Sequence, residues 1–308
     1  MHEGFLNVKK PAGITSFDAV KMILGEILEG KKGGKKIKIG HAGTLDPLAE
    51  GVLVMAVGRA SKLISRVQAQ RKTYIATFRL GLSSPSEDIE TEMTPAADPP
   101  IPTREEVEAV LPEFLGEILQ RPPIYSALKI KGQKAYDLAR KGKEVELAPR
   151  PIRIYSLELL DYSYPELRLK IICGSGTYVR SLGRDIAQRL GTEAVMSALT
   201  RTAVGCFWID DALEIRKRDD PRPLDRPKCT EFLRPLLDAV PDLPRIAYSP
   251  EEILNLKNGI PIRHPDAEFL LPGEEAVATN EAGKFLGIVK KDERGKLRSV
   301  LNFAHEQE

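Results

Sequence analysis

Apolar residues recur along this chain in two rhythms. Four segments are dense in Val, Ile, Leu, Tyr and Phe and end at turn residues, the pattern of β-strands: Gly51–Val57, Thr73–Leu80, Ile152–Leu160 and Leu167–Cys173. Two others keep helical period. Thr103 with Glu106 three residues on has capping-box spacing. Val107, Val110, Leu111, Phe114 and Ile118 follow it at helical spacing, which predicts a helix through Ile118. Val179, Leu182, Ile186 and Leu190 predict a second helix, closed by Gly191. Strands and helices mix without regular alternation, so the pattern predicts an α+β fold around a mainly antiparallel mixed sheet.

Prolines punctuate the chain twice. Asp98-Pro-Pro-Ile-Pro102 is a surface connector, and the stretch from Asp219 to Pro250 holds seven prolines. That stretch predicts loops and a boundary between a unit over 1–244 and a smaller one over 245–308. Ser249-Pro250-Glu-Glu252 is another capping box with proline at the first helical position, and Gly259 ends that short helix. The remainder reads as strands, with turns at Pro272-Gly273 and Glu281-Ala-Gly283.

Composition narrows the class. The 308 residues are 42% apolar and 29% charged, a globular balance. The longest apolar runs fall well short of the ~20 residues of a membrane span. Met1-His-Glu-Gly-Phe-Leu-Asn lacks the basic and apolar regions of a secretory signal, so a cytoplasmic protein is expected. Three scattered cysteines and four unclustered histidines predict neither a disulfide framework nor a metal site. Net charge is only +2, but it is segregated. Residues 83–117 carry ten acids against one base, and residues 121–153 carry nine bases against three acids. Lys31, Lys32, Lys35, Lys36 and Lys38 form a further basic cluster. Such runs are either solvated surface or counterion-releasing phosphate contacts.

Candidate chemistry concentrates in three places. Gly40-His-Ala-Gly-Thr-Leu-Asp-Pro-Leu-Ala-Glu-Gly51 sets one histidine and one aspartate among glycines, just before a strand. Asp46 precedes Pro47, which favours an extended or turn conformation. An Asp-Pro turn without function would look the same. Cys173-Gly-Ser-Gly-Thr-Tyr-Val-Arg180 joins a strand to a helix and offers Tyr178 and Arg180. Arg71-Lys-Thr-Tyr74 opens a strand with an aromatic beside two bases. Aromatics interleaved with bases hold unpaired RNA by stacking and phosphate contact.

These segments resemble the TruB family of tRNA pseudouridine-55 synthases. The loop Gly40–Leu53 is similar to the family's signature, and Lys10-Pro-Ala-Gly-Ile-Thr-Ser16 to its N-terminal motif. Lys72-Thr-Tyr74, Pro123-Ile-Tyr-Ser-Ala-Leu-Lys129, Gly176-Thr-Tyr-Val-Arg180 and Leu199-Thr-Arg-Thr-Ala-Val-Gly205 resemble further motifs, in order. Gly81-Leu-Ser-Ser-Pro-Ser-Glu-Asp88 departs from the pattern, with serines where the family usually has threonines. The resemblance implies a pseudouridine synthase fold, a basic RNA-gripping insertion at about 121–150, and a small PUA-like RNA-binding domain over 245–308.

The implied reaction isomerises uridine to pseudouridine at position 55 in the tRNA T-loop. Uracil leaves C1′ of its ribose, rotates and rejoins through C5, with no cofactor and no metal. Asp46 carries over as the catalytic carboxylate and Arg180 as its ion-pair partner. Tyr74 would stack on the flipped base while Tyr178 and Leu199 complete the pocket. His41 would fill the gap left by the base, Lys10 would be a site-edge cation, and Lys129 would grip RNA. The expected partner is the T-arm stem-loop of tRNA, bound by a monomer. One alternative is the catalytic subunit of a guide-RNA-dependent complex, whose members share the signature loop but generally lack the insertion. Another is a non-catalytic RNA-binding or folding factor, which would have no use for a carboxylate beside the phosphate path.

Overall fold

The apolar run after Gly51 has no polar alternation because both of its faces are covered. The structure, a computed structural model, describes residues 3–28, 37–125, 129–130, 133–134, 147–215 and 228–306. Ten strands form the main sheet. In chain order they are β1 (Gly4–Lys10), β2 (Ile39–His41), β3 (Glu50–Val57), β4 (Lys72–Leu80), β5 (Gly116–Gln120), β6 (Arg150–Ser163), β7 (Glu166–Cys173), β8 (Ala194–Val204), β9 (Phe207–Trp208) and β10 (Leu213–Glu214). Their order is β10-β1-β3-β8-β4-β7-β6-β5, with β2 beside β3 and β9 beside β8. Only β1–β10 and β3–β8 pair in parallel, so the sheet is mixed and mainly antiparallel.

Alternate residues of β3 serve two cores. Leu53, Met55 and Val57 face a core with α1 (Ser16–Leu28) and α4 (Val179–Arg189). Val52, Val54 and Ala56 face a second core. Into that core come Val67 of α2 (Ile64–Ala69), and Val277, Phe285, Ile288 and Phe303 from the C-terminal region. There β11 (Arg245–Tyr248), β12 (Glu275–Asn280), β13 (Phe285–Lys291) and β14 (Leu297–Asn302) form a four-stranded sheet. This sheet has its own core around Ile246, Tyr248 and Leu286, roofed by α5 (Pro250–Lys257). It also shares a core with the main sheet, and Arg66 reaches Glu275 through two hydrogen bonds of 2.7 and 3.0 Å.

The strand and helix readings held, with one correction. The capping box at Thr103 is present, but its helix α3 covers only Arg104–Val110. A single 3-10 turn with Pro112 follows, and Gly116, at φ +85°, turns the chain into β5. Ile118 therefore packs from a strand, opposite Ile152 of β6. Proline lacks the N–H that would continue the helix, and the left-handed glycine redirects the chain. The capping box at Ser249 opens α5 as read. No helix among the described residues is long and apolar enough to cross a membrane.

Of the basic stretch 121–150, residues 126–128, 131–132 and 135–146 lie outside the described residues. Lys129 stands in a two-residue strand whose backbone pairs with Gln133–Lys134, and its RNA contact is not among the described features. Lysines 31, 32, 35 and 36 also lie outside them.

Candidate active site

The loop between β2 and β3 is held from several sides, and Asp46 is at its centre. Ser16 Oγ accepts from Leu45 N–H at 2.8 Å and donates to Leu45 O at 2.9 Å. Pro47 O accepts from Gly13 N–H at 2.7 Å. Arg201 on β8, buried, donates from Nη2 to Gly43 O at 3.1 Å and from Nε to Val52 O at 2.7 Å. Glu90 Oε1 accepts from Leu48 N–H at 3.0 Å. Gly51, at φ +101°, lets β3 leave the loop against Arg201, where a Cβ would lie 2.2 Å from the Arg201 carbonyl oxygen.

Lys10 belongs to this scaffold, which corrects the expected site-edge position. It is 0% exposed, and its Nζ donates to the carbonyls of Pro11, Ile14 and Pro47 at 3.0, 2.7 and 3.4 Å. A fully enclosed ammonium cannot touch RNA. Burial lowers its pKa to about 8, partly offset by the Asp46 charge. The N-terminal motif therefore holds the loop through Lys10, Gly13 and Ser16.

Asp46 points at the first turn of α4. Its Oδ2 lies 3.1 Å from Arg180 Nε, with the arginine side chain 7% and the aspartate 36% exposed. Arg180 also meets Asp88 Oδ2 at 3.3 Å, and that carboxylate is 1% exposed. The remaining N–H groups of Arg180 donate to Ser86 O at 2.6 Å and Tyr125 O at 3.1 Å. Thus one guanidinium bridges two carboxylates, one enclosed and one opening to solvent. Asp88 Oδ1 accepts from Ser86 Oγ at 2.5 Å and from Glu90 N–H at 3.0 Å. Glu87 ties the segment to α4 by accepting from Ser181 Oγ at 2.6 Å and by pairing with Arg184. Motif reading did not find Asp88 and Ser86 as site residues. The acidic run around them reads as solvated surface until the fold turns it onto Arg180.

A cleft of about 740 Å³ opens over this pair. Asp46, Tyr74, Tyr178, Arg180 and Leu199 all line it. Tyr74 and Leu199 are buried on the neighbouring strands β4 and β8. Burial pushes the Tyr74 phenol up, so the ring enters the cleft as a neutral aromatic surface. Gln120 fixes Tyr178 by bonding both its backbone N–H and its carbonyl, at 2.9 and 3.0 Å. Lys72 and Glu90 also line the cleft. Burial lowers Lys72 to about 8, and its Nζ donates to the carbonyls of Gln68 and Gln70. Burial, with the Asp88 charge adding, raises the Glu90 carboxyl. His41 stands beside the cleft, half-buried on β2, while its neighbours Ala42 and Gly43 form the wall. Burial lowers its imidazole below the usual range, so the ring is neutral near pH 7.

Known proteins resemble this chain in fold and sequence. Residues 31–179 match the model of the TruB family pseudouridylate synthase N-terminal domain. A solved Cbf5-Nop10-Gar1 complex contains a chain that superposes with a TM-score of 0.70 at 22% identity, covering 98% of this chain and 84% of that one. The fold is therefore that of the pseudouridine synthases. Among curated relatives, tRNA pseudouridine synthase B of Rhodopirellula baltica is 41% identical over 84% of this chain and 75% of its own length. The enzyme of that name from Dehalococcoides mccartyi is 38% identical over 95% of this chain and 94% of its own. The chain belongs to the TruB family.

Proposed function

We propose that the protein is a stand-alone tRNA pseudouridine-55 synthase with Asp46 as its essential catalytic group. In the reaction the C1′–N1 bond of the target uridine breaks, the uracil turns, and a C1′–C5 bond forms. C5 loses a proton and N1 gains one, so the product is an isomer and no electrons are transferred.

The observation that carries this reading is the Asp46–Arg180 pair at 3.1 Å on the floor of the cleft. A carboxylate in a semi-enclosed site is disfavoured as an ion unless a positive partner is close. Arg180 supplies that charge while leaving Asp46 open to the cleft. The carboxylate drives separation of base from sugar by covalent or elimination chemistry. A base within a folded T-loop must leave its stack to reach Asp46. Tyr74 receives it by stacking, and Tyr178 and Leu199 close the remaining walls. His41, neutral beside the cleft, braces the RNA where the base has left. The C-terminal sheet from Arg245 onward serves as a second RNA-contacting unit.

The similarity over most of both chains to relatives named tRNA pseudouridine synthase B supports tRNA as the substrate. Tritium release from C5-labelled uridine in an unmodified tRNA transcript, with purified protein and no guide RNA, tests this reading. Wild type releases tritium from the T-loop uridine, and Asp46→Asn lowers the rate by at least ~10²–10³-fold, the scale of losing a charge that acts in the transition state. A well-folded wild type that binds tRNA but releases nothing would overturn it.

A further inference from the structure

Among the described residues, three arginines at one end of the main sheet have no carboxylate partner, and aromatic rings hold them in place. Arg71 precedes β4, and its guanidinium lies 4.1 Å from the ring centre of Tyr155 on β6. Arg153, two residues earlier on β6, approaches the same ring at 5.6 Å. Arg150, at the start of β6, lies 5.0 Å from the Tyr178 ring. Its Nη2 donates to Gly176 O at 2.6 Å, while its buried Nε has no hydrogen-bond partner among the described residues.

This cluster adjoins the cleft. Arg150, Tyr178 and Gly174 are themselves part of the cleft wall. Gly174 N–H donates to Arg153 O at 2.8 Å, and a Cβ on Gly174 would touch Arg153 and Tyr155. Arg71 is bonded in chain to Lys72, which lines the cleft. Arg71, Arg153 and Tyr155 are exposed. Glu117 faces Arg153 across β5, but no ion pair joins them among the described residues.

A guanidinium stacked on a ring keeps its in-plane N–H donors free, in a fork that suits phosphate oxygens. Stacking also limits the rotamers an exposed arginine would otherwise sample, so less entropy is lost when an anion binds. We propose that Arg71, Arg153 and Arg150, held by Tyr155 and Tyr178, form a phosphate track that grips the RNA backbone beside the reacting nucleotide. The inference rests on the RNA-modifying function proposed above. It assigns a sequence-independent grip to the end of the sheet, where the basic stretch 121–153 closes.

The test is direct tRNA binding as a function of salt, alongside turnover, for full-length wild type and Arg71→Gln/Arg153→Gln. Each lost phosphate contact lowers the log–log salt slope by about 1, so the double variant should lose about 2. Its KM for tRNA should rise about 10-fold, with kcat affected far less. Lys170→Gln, on the adjacent β7 and paired with Glu158 at 3.3 Å, removes surface charge away from the track and should keep the wild-type slope. Tyr155→Ala should weaken binding by freeing both guanidiniums. A double variant with the wild-type slope and KM would overturn the track, as would an equal slope loss in Lys170→Gln. The salt slope is read from binding alone. A wild type that binds tRNA and does not turn it over would sink the catalytic reading and leave the slope comparison decisive for the track.

Discussion

At the scale of single residues, the site depends on one guanidinium serving two carboxylates. Removing a partner from a buried ion pair typically costs about 3–5 kcal/mol because the remaining charge stays buried. Arg180→Met strands the enclosed Asp88, so it should destabilise the fold by roughly 3 kcal/mol. Adding Asp88→Asn should restore much of that stability without restoring turnover, because Asp46 still lacks its cation. Denaturant unfolding and tritium release on the same preparations check both halves. His41→Ala should slow turnover far less than Asp46→Asn, since His41 flanks the cleft and Asp46 lies within it; equal losses would contradict the roles assigned.

Lys10 makes a pH prediction. Its folded-state pKa is about 8 against an ordinary 10.5, so between those values the unfolded chain binds more protons than the folded one. Stability contributed by this site therefore rises with pH from about 8 to about 10.5. It rises by at most about 1.4 kcal/mol per pH unit. The difference in unfolding free energy between wild type and Lys10→Met should grow in that window and be flat below it. Taking the difference removes groups of opposite sign, such as Cys173, whose thiol burial pushes up to about 11.

At the scale of elements, α4 carries Arg180 and must lie tightly on β4. Gly183 makes that approach possible, since a Cβ there would stand 2.1 Å from the Phe78 ring. Gly183→Ala should destabilise by about 1–3 kcal/mol through overpacking. By lifting the first turn of α4 it should also lower kcat more than it raises KM, a split that steady-state kinetics would show. The helix itself was legible from the spacing of Val179, Leu182 and Ile186, all of which are buried. The end of α3 was not, because Ile118 falls by chance at helical spacing while packing from a strand. Helix α1 lacks the usual sequence signature although Thr15 and Asp18 cap its start reciprocally, at 3.1 and 3.3 Å. The capping partner there is Asp rather than the Glu or Gln of the usual capping signature.

At the scale of the whole molecule, the C-terminal sheet is fastened to the main sheet by a shared apolar core. Phe303 is central to it, buried edge-on against Phe285 at 5.2 Å with Arg59 5.3 Å from its ring centre. Phe303→Ala should cost about 3–5 kcal/mol, as for other buried aromatics. Because the core is continuous between the sheets, calorimetry of the wild type should show one unfolding transition. Two resolved transitions would mean that the sheets unfold independently.

Local chemistry and order along the chain determined much of this protein. Periodicity marked strands and helices because burial of one face, or of both, leaves a repeating pattern. The segments around Asp46, Tyr74, Tyr178 and Arg180 could be singled out by their residue chemistry, and Leu199 only through the family resemblance. Only the tertiary structure decided what those residues touch. Lys10 became a strut because β1 runs beneath the loop, and a sequence does not state which cations are enclosed. Asp88 joined Arg180 across a separation of ninety-two positions, from 88 to 180, because the 84–91 segment folds onto α4. Arg71 and Arg153 met on one tyrosine because β4 and β6 begin at the same end of the sheet, with only β7 between them. Long-range contacts of this kind leave no periodic trace in the chain, since they depend on how elements dock and not on how each one forms.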